Sequence, residues 1–218
     1  MNGLSLAAVP VPGRDCDLCP RLAQFRTDNR AAYPDFFNAP VPAWGDADPQ
    51  LLVVGLAPGL KGANRTGRPF TGDYAGDLLY STLKKYGFSE GQFRADPNDG
   101  LVLRRARISN AVKCVPPENK PTPAETKICR SHFLAPEIAA MGKLRAVLAL
   151  GQIAHVAVLD TLKMKRAAAP FGHNTAYLLP NGATLFSSYH CSRYNTNTGR
   201  LTEAMFHAVF DRIAAHLG

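Results

Sequence analysis

Short apolar runs closed by glycine or proline recur along the chain. Residues 51–54 (LLVV), 106–112, 146–150 and 185–189 are short, largely apolar stretches that read as strands. Helical spacing of apolar residues separates them: 75–86, stopped at Gly87; a segment from Thr122 or Pro123 to about Met141, with Glu125 in its first turn; 152–165; and an amphipathic stretch at 201–217. A weaker helical pattern covers 21–32. Strands alternating with helices predict an α/β fold whose parallel sheet is layered on both sides, with sites just past the strand ends.

The polar residues of most interest follow the first strand. Residues 55–76, GLAPGLKGANRTGRPFTGDYAG, hold six glycines in 22 positions and then enter a helix. Glycine lets backbone come close to a guest, so amides can face it. The loop lacks the lysine of a phosphate-cradling GxxxxGK, since Gly62 to Gly67 is followed by Arg68 and Pro69, and it lacks the GxGxxG of a dinucleotide site. It does bring Arg65, Arg68, Phe70 and Asp73 within nine residues, a set that suits a base on an anionic backbone. A surface loop with a core Phe and a helix-capping Asp is the competing reading.

Composition narrows the setting. The 218 residues, 46% hydrophobic, can form one domain over 1–218, with a Pro- and Gly-rich arm at 1–15 expected to be flexible. No apolar run approaches the roughly 20 residues of a membrane span, and no basic start leads into an apolar core, so an intracellular protein is expected. Twenty-five Lys and Arg against 17 Asp and Glu give a charge of +8, which favours a polyanionic partner such as nucleic acid. With only 19% of residues charged, the excess forms a patch rather than a coat.

Five cysteines, an odd number in a chain of this length, argue against a disulfide framework and for metal ligation. Cys16 and Cys19 form a CxxC before the first helix, Cys114 precedes two prolines, and Cys129 lies on the following helix. Four thiolates suit a tetrahedral zinc or a 4Fe-4S cluster, and the wide separation of Cys114 and Cys129 favours the cluster. Cys191, beside His190, is read as a bystander, because neighbours on an extended strand face opposite ways.

Together GLAPG, NRTGRPFTGD, NAVKCVPPENKPTP and YHCSRYNTNTGRLT, with these cysteine spacings, resemble the family 5 (type B) uracil-DNA glycosylases over nearly the whole chain from Cys16. The resemblance implies a three-layer α/β/α fold with a central four-stranded parallel sheet. It also implies a 4Fe-4S cluster on Cys16, Cys19, Cys114 and Cys129, and excision, by a monomer, of uracil, hypoxanthine or xanthine from DNA. Matched by position, Phe70 stacks on the flipped base, Asn110 reads its amide edge, and Gly55, Ala57 and Gly59 offer backbone. Asp73 assists catalysis and His190 stands at the base's O2. Residues 189–200 enter the duplex. Apart from the resemblance, Arg65, Arg68, Arg193 and Arg200 are candidates for phosphate contacts, and Tyr194 for contact with DNA. Leu56 and Ala57 stand where many relatives outside this family carry an acidic or amide residue, which leaves Asp73 as the nearest carboxylate. A non-catalytic iron-sulfur module that binds damaged bases is the other reading.

Overall fold

The apolar runs pair side by side, since a strand with no polar face needs a layer on each side of its sheet. A computed structural model describes residues 9–218. Its strands are β1 (Trp44–Gly45), β2 (Leu51–Gly55), β3 (Ser89–Glu90), β4 (Val102–Leu103), β5 (Ala106–Asn110), β6 (Ala146–Leu150), β7 (Thr175–Leu178) and β8 (Thr184–Ser188). Its helices are α1 (Pro20–Ala32), α2 (Ala63–Thr66), α3 (Tyr74–Lys85), α4 (Pro123–Cys129), α5 (Ala135–Ala140), α6 (Gln152–Thr161), α7 (Arg193–Asn197) and α8 (Glu203–Leu217). The main sheet has the order β1-β5-β2-β6-β8-β7, and β3 pairs with β4 apart from it.

The inner strands β5, β2, β6 and β8 run parallel, while β1 and β7 add antiparallel at the edges. The four-stranded parallel sheet expected from the sequence is therefore the centre of a six-stranded one. Both edges carry weak signals: β1 is two residues long, and β7 is a half-exposed TAYL without an apolar run.

Alternation along each strand sends side chains to opposite faces. Leu51, Val53, Ile108, Leu148 and Phe186 join Leu79 and Leu83 of α3 and Phe206, Val209 and Phe210 of α8 in one cluster. Leu52, Val54, Val147, Ala149 and Leu185 join Leu134, Ile138, Ala154 and Val158 in a second. These are the two outer layers of an α/β/α sandwich. The helix expected from Thr122 or Pro123 to Met141 starts at a full capping box of Thr122 and Glu125, then widens into a π-turn at Arg130–Leu134. Pro136 supplies the reason, because it has no amide for the carbonyl four residues back.

Of the arm at 1–15, residues 1–8 lie outside the described part. Arg14 and Asp15 are tied to α1 by Arg30, which bonds the Arg14 carbonyl and the Asp15 carboxylate. No helix is long and apolar enough to cross a membrane among the described residues.

This topology fixes where a ligand fits. Strand β2 leads to β5 on one side, while its other neighbour β6 leads on to β7 and β8 on the far side, so the C-terminal end of β2 borders a switch point. The register sets Gly55 opposite Asn110 there.

Candidate active site

A cleft of about 790 Å³ lies over the ends of β2, β5 and β8. Phe70, Asp73, Asn110 and His190, separated by up to 120 positions in the chain, all line it. Residues 56–63, including the apolar Leu56 and Ala57, form one wall.

Phe70 and Asn110 meet over Gly55. A Cβ on Gly55 would lie 2.4 Å from Asn110 Oδ1 and 2.7 Å from Phe70 Cζ, so only glycine leaves both side chains their places. Phe70 takes φ of +51°, a conformation bulky residues rarely adopt, and is nonetheless buried. Its loop is pinned on several sides: Tyr80 donates to the Pro69 carbonyl at 2.6 Å, Thr66 donates to the Thr71 carbonyl at 2.9 Å, and Gly76 leaves room for the Phe70 carbonyl. The Phe70 and His190 rings are 5.9 Å apart and inclined by 27°. Asn110 is buried, and its Oδ1 has no hydrogen-bond partner among the described residues. A buried amide left unpaired costs free energy, so its retention at a cleft wall points to a ligand that completes it. Gly55→Ala should therefore leave the fold intact, because the atoms it strikes are side-chain ends, yet slow the reaction up to about 100-fold by displacing both groups. Circular dichroism and single-turnover kinetics on the same protein check this.

Asp73 stands at the N-cap of α3, but its carboxylate makes no well-aligned bond to the helix amides. It is open to the cleft and lies against the glycine backbone, where a Cβ on Gly62 would be 2.3 Å from Oδ2. Burial raises its pKa above 3.8, and the Ala75 and Gly76 amides only partly oppose this. His190 is half-buried, and desolvation lowers its pKa, so its imidazole is neutral at pH 7. Two groups whose environments discourage charge thus face one cavity, the pattern of a reacting site.

The four cysteines named as a set also come together. Cys16, Cys19, Cys114 and Cys129 line one small pocket with Leu22, Val112 and Phe133, and no described cysteine is in a disulfide. The Lys113 amide donates to Cys129 Sγ at 3.2 Å, and Arg26 Nη1 donates to Cys114 Sγ at 3.6 Å. Burial pushes the Cys114 thiol up to about 11 and the Cys129 thiol up to about 12. Among the described residues no three His, Cys, Asp or Glu side chains converge tightly enough for a single metal ion. Four thiols with amide and guanidinium donors aimed at sulfur, in an otherwise apolar pocket, are a donor set suited to an iron-sulfur group.

Residues 42–214 match the model of the uracil DNA glycosylase superfamily. The chain is 43% identical to the type-5 uracil-DNA glycosylase of Thermus thermophilus, over 88% of this chain and 89% of that one. It is 41% identical to the type-5 enzyme of Mycobacterium tuberculosis, over 89% and 75% of the two chains, and 40% identical to that of Pyrobaculum aerophilum, over 94% and 90%. The chain belongs to the type-5 uracil-DNA glycosylases.

In this type-5 glycosylase the five candidate DNA contacts divide. Arg65, Arg193, Tyr194 and Arg200 are exposed, with Arg193 over the Tyr74 ring and Arg200 over the Tyr189 ring. Arg68 is not available to a phosphate. It is 4% exposed, bonds both Asp99 oxygens at 2.8 Å, donates to Thr71, and lies over Trp44 at 4.9 Å. Its charge is spent bracing the strained loop that presents Phe70. Arg68→Met should destabilise by up to about 3–5 kcal/mol, because the Asp99 carboxylate loses its cation and keeps only the Arg94 and Leu101 amides, and should leave the salt dependence of DNA binding unchanged. Urea unfolding and a salt titration separate the two effects.

Lys61, Tyr74, Asn119 and Ser192 are among the polar cleft residues that sequence reasoning did not name as site residues. Asn119 follows Glu118 in a turn where both have positive φ, which an Asn between prolines signals in retrospect. Ser192 caps α7, its side chain accepting from the Asn195 amide. Cys191 is fully buried, donates to the Ala75 carbonyl and has its thiol pushed up to about 12 by burial, consistent with a packing role. His155 is likewise a satisfied core residue between Ser187 and the Ala169 carbonyl.

Proposed function

We propose that the cleft takes a uracil extruded from DNA and that the chain hydrolyses its N-glycosidic bond, leaving an abasic site. The observation that carries this is the unpaired, buried Asn110 amide beside the Phe70 ring, with Asp73 and His190 lining the same cleft. A flat ring stacks on Phe70, and the base's amide edge completes Asn110, a pairing that a flipped base satisfies. Bond cleavage leaves an anionic base and a cationic sugar. His190, neutral and able to donate, together with amides of residues 55–59, stabilises the base's oxygen as its charge develops. Asp73 faces the sugar side, where its carboxylate stabilises positive charge or orients the attacking water. Asn119 adds a second amide to the cleft for water or backbone.

Lys61, Arg65, Arg193, Tyr194 and Arg200 form the surface that meets DNA, and the chain acts as a monomer inside the cell. The apolar Leu56 and Ala57 present no polar group that would discriminate against other bases, which supports release of hypoxanthine and xanthine as well. Cys16, Cys19, Cys114 and Cys129 hold a 4Fe-4S cluster that ties the segment before α1 to the loop after β5 and to α4, and so fixes the loop carrying Asn119. The cluster supplies structure here, and the chemistry falls to the residues of the cleft.

Duplexes carrying one uracil, hypoxanthine or xanthine, assayed for free base and for alkali-sensitive breaks, test the reading. Release of uracil with an alkali-sensitive site is the expected result. Tight binding to the uracil duplex without base release would overturn it and leave a binding module.

A further inference from the structure

A buried cation stands beside the cysteine pocket, in an ion pair with no carboxylate among the described residues. Arg26, in the middle of α1, is 4% exposed, and it takes part in none of the ion pairs among the described residues. Asp15, whose carboxylate feels its charge, is engaged by Arg30 at 2.6 Å. The guanidinium turns to the cysteines instead. Nη2 donates to the Cys16 carbonyl at 2.8 Å, Nη1 donates to Cys114 Sγ at 3.6 Å, and Nε has no partner.

A lone guanidinium is expensive to bury, and a neutral thiol is a weak acceptor that does little to offset it. The same position becomes favourable once the four sulfurs are thiolates, because four thiolates outweigh the positive charge of an iron-sulfur core and leave a net anion. The hydrogen bond to Cys114 Sγ is then charge-assisted on both sides. A fork that reaches both Cys16 and Cys114 also fixes their mutual position across 98 positions of chain, read from the numbering of the two residues.

We propose that Arg26 is the internal counter-cation of the thiolate-held cluster, holding it in the protein and setting its reduction potential. This rests on the reading that Cys16, Cys19, Cys114 and Cys129 bind the cluster. Removing a positive charge near the cluster disfavours the more negative, reduced form, so its potential must fall. An arginine that only braced the Cys16 carbonyl would not move the potential with its charge.

The test uses the full chain purified without oxygen. Iron and sulfide per chain, the rate of iron loss to a chelator, and the potential from spectroelectrochemistry are measured for the parent, Arg26→Gln and Arg26→Lys. Arg26→Gln, which keeps a donor without the charge, is expected to lose iron about 10- to 100-fold faster, the range for loss of a group supporting a metal ligand, and to be reduced at a more negative potential. Arg26→Lys, which keeps the charge without the fork, is expected to restore most of the potential. Parental potential and iron loss in Arg26→Gln, or a potential in Arg26→Lys as low as in Arg26→Gln, would overturn the proposal while leaving the cluster in place. Should Arg26→Gln not accumulate as folded protein, Arg26→Met, which also lacks the charge, replaces it in the comparison with Arg26→Lys. A parent without iron and sulfide would remove the cluster reading, and this inference with it.

Discussion

Asp73→Asn is expected to slow uracil release by about 10²–10⁴-fold, the range for a positioned acid-base group, while leaving the protein as stable or more so. The two effects have one origin. The fold raises the carboxyl's pKa above 3.8, mainly by burial, so the folded protein binds that proton more tightly than the unfolded chain does. Stability therefore falls as pH rises from the ordinary value through the raised one, by an amount that solvent at the exposed carboxylate reduces. Asparagine removes the charge, caps helices about as well as aspartate, and has no carboxylate to offer the reaction. The pH-rate profile carries the same signature. If ionised Asp73 is required, the parent loses activity on the acid side with a midpoint above 3.8. Single-turnover rates from pH 4 to 8 and thermal unfolding at pH 7 check both. A variant that cleaves as fast as the parent removes Asp73 from the reaction.

His190→Ala is expected to cost about 10²–10³-fold in kcat, the usual loss for one donor to a developing oxyanion. The loss should fall on kcat rather than KM, since the charge that His190 stabilises exists only as the bond breaks. Desolvation lowers the imidazole's pKa below 6.5, so the neutral form dominates from that value upward. A rate that needs neutral His190 should therefore hold level above pH 6.5, whereas a histidine acting as a cation would lose rate as pH rises. Comparing kcat and KM for parent and variant across that range distinguishes the two roles.

Much of this site was legible in the sequence, because its parts stand directly after strands that the apolar runs announce. Gly55 and His190 each follow such a run, Asn110 lies near the end of one, and a parallel sheet brings those ends to one edge. The four cysteines were legible for a similar reason: thiols without disulfide partners in a chain with no sign of secretion need another use. What could not be read was which cations are free. Arg65 and Arg68 look alike in NRTGRPF, and only the arrival of Asp99, 31 positions later, and of the Trp44, Tyr80 and Phe93 rings makes Arg68 internal. The edge strands were hidden by shortness and exposure. Asn119 was hidden because a proline-rich loop has no periodicity to aim its side chains.

The phases of packing and chemistry meet at Phe70, a buried ring held at positive φ by Arg68, Tyr80 and Gly76. Such strain persists only where surrounding contacts over-determine it, and here they present one aromatic face to the cleft. The most direct measurement is a crystal structure of the Asp73→Asn protein bound to a duplex with a single uracil. The uracil should lie on the Phe70 ring with its amide edge on Asn110 and its O2 at His190. A uracil still stacked in the duplex, or bound away from these three side chains, would contradict the account.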